Sequence, residues 1–239
     1  MGTDNLHHKR RQGRQTRKEN EKALRQQTWL IVTEGAKTEP NYFDGLIKSL
    51  NASGKELIKH RICGLGKSTK SLVESIGIHG LFDHYDKHDK LSIIPYSKII
   101  FVFDKDSFPS ESFNTAIKMA KERYPTCIVA WSNESFELWL NLHFNYINSG
   151  PPRQQYNKKL TDIFRDKSIF TPKQSYDKHG KNMDNLFEAV HKAGGSLSQG
   201  MKHAEMLEKD FLHKNNPAKS NPVTMVHKAV QALIKESEG

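Results

Sequence analysis

Between Thr28 and Phe144 short apolar runs alternate with stretches of helical period, and this alternation is what a parallel sheet covered by helices produces. Thr28 to Thr33 reads as a buried strand because its centre, Trp-Leu-Ile-Val, carries no polar residue. Glu39 to Leu50 reads as a helix, with Thr38 as its N-cap and Pro40 tolerated in the first turn. Leu57 to Cys63 is a weaker strand, Ser68 to Tyr85 a helix, Lys98 to Phe103 a strong strand, Phe113 to Arg123 a helix, Thr126 to Trp131 a strand and Glu134 to Tyr146 a helix. The expected fold class is α/β, with a Rossmann-like parallel core over residues 28–147.

After Tyr146 the pattern changes. Gly150-Pro-Pro152 breaks the chain, and the remainder is polar and helical with interruptions at Gly194-Gly195 and Asn215-Asn-Pro217, so residues 148–239 are expected to form a C-terminal helical lobe. Val223, Val226, Val230 and Ile234 follow Asn221-Pro222 at the spacing of an amphipathic terminal helix. Residues 1–27 stand apart as a basic tail: Lys9, Arg10, Arg11, Arg14, Arg17, Lys18, Lys22 and Arg25 face only Asp4, Glu19 and Glu21. The whole chain carries 37 Lys and Arg against 27 Asp and Glu, a balance that favours a polyanionic partner such as DNA or RNA. No apolar run is long enough to span a membrane and the start lacks a secretory stretch, so a cytoplasmic location is expected. Cys63 and Cys127 read as buried reduced thiols.

In a parallel α/β sheet, reactive groups collect beyond the carboxyl ends of the strands. Glu34 directly follows the strand ending at Thr33, and Asp104-Lys-Asp106 directly follows the strand ending at Phe103. If those strands are neighbours, three carboxylates converge, and their repulsion calls for a positive resident. Magnesium or manganese suits such an all-oxygen set and would leave room for substrate phosphate. The plain alternative is a helix-start charge at Glu34 and turn-capping aspartates at 104 and 106.

A strand ending in Glu-Gly followed by a later strand ending in Asp-x-Asp resembles the signature of Toprim domains, here Glu34-Gly35 and Asp104-Lys105-Asp106. The longer strings Thr33-Glu-Gly-Ala-Lys-Thr-Glu-Pro-Asn-Tyr-Phe43, Phe103-Asp-Lys-Asp106, Phe136-Glu-Leu-Trp139, His143-Phe144 and Asn221-Pro222 resemble RloB-like proteins. That resemblance implies a Toprim-like core, a place in phage defence, restriction-modification loci or abortive infection, and an ATPase encoded nearby. It implies a magnesium-dependent nuclease holding its metal through Glu34, Asp104 and Asp106. Nucleases of the OLD type, which also pair a Toprim domain with an ATPase, commonly place another acid four residues after the Glu. Thr38 fills that position here, and Glu39, one residue further, joins the metal set.

Several residues support this reading, each with a bland alternative. Glu137 lies in the Phe-Glu-x-Trp string and is the preferred fourth acid, or else a first-turn Glu favoured by the helix dipole. Lys178, in the basic string Tyr176-Asp-Lys-His-Gly-Lys181, is the candidate for stabilising developing charge, or else a surface lysine. Lys37, Lys67, Arg10, Arg11 and Arg14 are candidate phosphate contacts. Gly64-Leu-Gly-Lys-Ser-Thr69 lacks the spacing of a nucleotide-triphosphate loop. Phe136, Leu140 and Phe144 read as core, and His143 as a hydrogen-bonded structural residue. The expected activity is cleavage of DNA or RNA, tRNA included. A catalytically silent nucleic-acid sensor that regulates a partner ATPase is the competing reading, and a homo-oligomer is left open.

Overall fold

The computed structural model describes residues 28–54, 58–66, 72–73 and 96–239. In chain order these form β1 (Thr28–Thr33), α1 (Thr38–Ser53), β2 (Lys59–Gly64), β3 (Lys98–Asp104), α2 (Ser110–Arg123), β4 (Ile128–Asn133), α3 (Phe136–Leu142), α4 (Arg153–Asp166), α5 (Leu186–Lys192), α6 (Leu197–Phe211), β5 (Val223–Thr224) and α7 (Val226–Glu238). Short 3-10 turns lie at Gly180–Asn182 and Pro217–Lys219. The basic tail, Lys67 and nearly all of the predicted helix from Ser68 to Tyr85 lie outside the described residues.

The five strands are ordered β2-β1-β3-β4-β5. The first four run parallel, and β5 pairs antiparallel to β4 through Ser132 with Thr224 and Asn133 with Val223. Alternation along each strand sends side chains to opposite faces. Trp29, Ile31, Ile100 and Val102 meet α1, α3 and the later helices on one face. Leu30, Val32, Phe101, Phe103 and Trp131 meet α2, Leu72 and Val73 on the other. Because both faces are covered, the central strands are continuous apolar runs, and this made them legible.

The cluster on the first face extends through Leu160, Phe164, Leu186 and Leu233, so residues after 147 share their apolar core with the sheet. Val223 departs from the predicted terminal helix: its β-branched side chain sits in β5 against β4, and the helix starts three residues later at Val226. The predicted helix over Glu134 to Tyr146 is shorter, Phe136 to Leu142, ending where the amides of His143 and Phe144 turn to the carbonyls three residues back. His143 is structural, as expected. Its Nε2 faces the Tyr42 hydroxyl at 3.0 Å, its Nδ1 faces the Ser196 carbonyl at 3.1 Å, and burial pushes its imidazole down to about 3. Among the described residues no helix is long and apolar enough to cross a membrane.

Candidate acidic pocket at the carboxyl edge of the sheet

β1 and β3 are neighbours, and their register puts Thr33 opposite Val102. The next residue on β1 is therefore Glu34, whose amide donates to the Val102 carbonyl at 2.9 Å. Its Oε2 accepts from the Asp104 amide at 3.3 Å. Two residues beyond β3, Asp106 takes a positive φ of 40°, a conformation that Asp tolerates better than most residues. Its amide donates to the Glu134 carbonyl, which ties the β3 turn to the end of β4.

Five carboxylates, Glu34, Glu39, Asp104, Asp106 and Glu137, line one pocket of about 200 Å³. Glu39 reaches it by folding back over the β1–α1 turn, where a methyl group at Gly35 would collide with its carboxylate. The glycine of the Glu-Gly pair thus serves close packing. Asp104 and Glu137 are 6% and 4% exposed. Glu137 enters from the first turn of α3, a helix placed by the strand-end Asn133 and by Ser135 in extended conformation.

Two cations absent from the sequence expectation complete the pocket. Arg153, the first residue of α4 after Gly150-Pro-Pro152, donates from Nη2 to Asp104 Oδ2 at 2.6 Å and from Nη1 to Asp106 Oδ2 at 2.9 Å. Its Nε lies 3.4 Å from Glu137 Oε2. Lys181 Nζ lies 3.7 Å from Glu137 Oε1 and 3.6 Å from Asp177 Oδ1. The Lys181 carbonyl accepts from the Thr38 hydroxyl at 3.3 Å. Thr38 therefore ties α1 to the lysine segment, and α1 has no side-chain cap.

The structure places Lys181 at the carboxylates, whereas Lys178 is exposed three residues earlier in the same basic string. Lys37 is exposed beside the pocket and does not line it. Lys105 turns its ammonium back to the carbonyls of Asp106 and Phe108.

Five carboxylates against two cations leave an excess of negative charge. Burial, aided by Glu137 and Glu34, pushes the Glu39 carboxyl up to about 7 from 4.5. Burial and then the charge of Glu39 raise Asp104 well above the usual carboxylate range, although Arg153 pulls the other way. Burial alone would lower the Arg153 guanidinium, but Asp104, Glu137 and Asp106 more than reverse that. A roomier groove of about 620 Å³ lies between α1 and α5, walled by Leu46, Leu50, Phe187 and Leu197. Its carboxylates, Asp44, Asp184 and Glu188, are not buried, whereas the smaller pocket holds buried Glu39, Asp104 and Glu137.

As the side chains stand, no three acidic or metal-ligating groups among the described residues converge on a common point, because Arg153 draws Asp104, Asp106 and Glu137 to itself. The donor set is nonetheless all oxygen, carries surplus negative charge and suits a hard divalent cation.

Fold and pocket define a class: an α/β protein with a cation-braced acidic pocket where neighbouring parallel strands end. The match to the family model described as RloB-like protein spans residues 29–233. The chain belongs to the RloB-like family. No curated protein and no solved structure showed significant similarity to it.

Proposed function

We propose that this protein is a divalent-metal-dependent phosphodiesterase, a Toprim-type nuclease acting on DNA or RNA in phage defence together with a partner ATPase. The observation that carries this reading is the five-carboxylate pocket at the adjoining ends of β1 and β3. A site meant only to bind phosphates gains nothing from concentrated negative charge. Glu34, Asp104 and Asp106 would hold magnesium or manganese, with Glu39 beside them. When bound, such an ion polarises a phosphoryl oxygen and makes an attacking water more acidic.

The protein's own residues supply the rest. Arg153 and Lys181 bring fixed positive charge to the rim, where a phosphate would pair with them. Glu39, pushed up to about 7 in the metal-free protein, would lie beside the ion, whose charge favours its ionised form. Glu137 orients both cations. The family's association with defence loci supports nucleic acid as the substrate class.

The decisive assay incubates the protein with plasmid DNA, single-stranded DNA and total tRNA, with magnesium, manganese or EDTA. Cleavage is expected with metal only, and should fall to background in Asp104→Ala/Asp106→Ala protein that remains folded. Full activity in that double variant would remove the nuclease reading. Nucleic-acid binding without cleavage, even with the neighbouring ATPase and ATP present, would replace it with the sensor reading.

A further inference from the structure

A second polar depression opens beside the acidic pocket. It has a volume of about 400 Å³ and runs between α4 and the loop that carries Ser175 and Asp177. Asn157, Thr161 and Arg165 line it from α4. With Arg153 they recur every fourth residue, so they follow one another a turn apart along the helix. The twelve helical steps from Arg153 to Arg165 advance about 18 Å along the axis. The row thus starts at the carboxylates and leads away from them.

The two depressions share a wall. Asp177 Oδ1 accepts from Asn157 Nδ2 at 3.2 Å and faces Lys181 Nζ at 3.6 Å, and Lys181 in turn faces Glu137. Asn157 is 8% exposed, and its Oδ1 has no hydrogen-bond partner among the described residues. A buried acceptor left unpaired is costly, so this atom calls for a donor. The surroundings are basic: residues 153–181 contain eight Lys and Arg against three Asp. Lys158 lines the groove and pairs with Asp162 at 2.9 Å, while Arg165, Lys173 and Lys178 are exposed.

We propose that this groove binds a single strand of nucleic acid and leads it into the acidic pocket. Backbone phosphates would lie along Arg153, Arg165 and the flanking lysines. The Asn157 carbonyl oxygen would accept from a base amine or a sugar hydroxyl. The lining contains no aromatic ring, so affinity comes from phosphate pairing and polar contacts, not from base stacking, and it depends strongly on salt. The inference rests on the nuclease reading for the identity of the polyanion.

The test measures fluorescence anisotropy of short labelled single-stranded DNA and RNA with the full chain in EDTA, over a series of salt concentrations. One variant is Lys158→Glu/Arg165→Glu/Lys173→Glu. Its control carries the same charge change on α2, at the opposite face of the sheet: Lys118→Glu/Lys121→Glu/Arg123→Glu. Thermal melts establish that both are folded. The groove variant should bind at least about tenfold more weakly, with a salt slope lowered by roughly 0.7 for each phosphate contact removed, while the control stays near wild type. Equal losses in both variants, or none in either, would overturn the groove. Wild-type cleavage with an unaffected groove variant would retire the groove and leave the nuclease standing. Groove-dependent binding without cleavage would do the reverse.

Discussion

Replacing Arg153 with alanine should destabilise the metal-free protein by about 3 kcal/mol, since removing one partner of a buried ion pair leaves uncompensated charge. For a chain of this length that is roughly 6 to 12 °C in melting temperature. The size follows from what Arg153 faces: Asp104 and Glu137, whose side chains are 8% and 5% exposed, and the more open Asp106. None of these carboxylates can recover full hydration when the guanidinium is gone. Magnesium or manganese should restore much of the loss by binding the native state selectively. The alanine protein should also bind the ion more tightly than wild type, because the ion no longer competes with a guanidinium for Asp104 and Asp106. Unfolding curves in EDTA and in excess metal give both quantities. A melting-temperature deficit that the ion leaves unchanged would mean that these carboxylates do not take a cation.

Glu39→Gln should act in the opposite direction and only at higher pH. Burial holds the Glu39 carboxyl at about 7 in the fold, against 4.5 ordinarily. Between these values the unfolded chain has lost the proton and the folded protein still keeps it. Stability therefore falls as pH rises through that window, by about 1.4 kcal/mol per unit, and the cost is complete above the folded value. Glutamine keeps the shape of the protonated acid without the titration. In EDTA the variant should match wild type near about pH 4 and exceed it by about 3 kcal/mol near about pH 8. Denaturant midpoints across the range measure the gap. Parallel pH profiles for the two proteins would show that Glu39 does not carry this cost.

The strands of the core were legible because a doubly covered sheet writes itself as apolar runs, as Leu30-Ile-Val32 and Ile99-Ile-Phe-Val-Phe103 do. Glu34, Asp104 and Asp106 were legible because each lies within three residues of the end of such a run. Their meeting was conditional on β1 and β3 being neighbours, and the sheet order supplies that condition. Arg153 and Lys181 were not legible. Charge compensation between residues 49 positions apart, as Arg153 and Asp104 are, leaves no trace in any local period. The available signals were indirect: Gly150-Pro-Pro152, which sets the start of α4 at Arg153, and the basic string ending at Lys181. Val223 misled for a related reason, since its three- and seven-residue spacing to Val226 and Val230 coexists with a cross-strand pairing that only the tertiary fold reveals.

The span of sequence that feeds the pocket also governs when the pocket can exist. Glu34, Asp104 and Glu137 leave the ribosome before Arg153 and Lys181 do, and at about 5–20 residues per second the interval between Asp104 and Arg153 is roughly 2 to 10 s. During that interval the chain carries Glu34 and Asp104 but neither the guanidinium that pairs with Asp104 nor the Lys181 segment that Thr38 meets. The assembled pocket belongs only to a chain translated past Lys181, so a message truncated within α4 yields the carboxylates without the complete site.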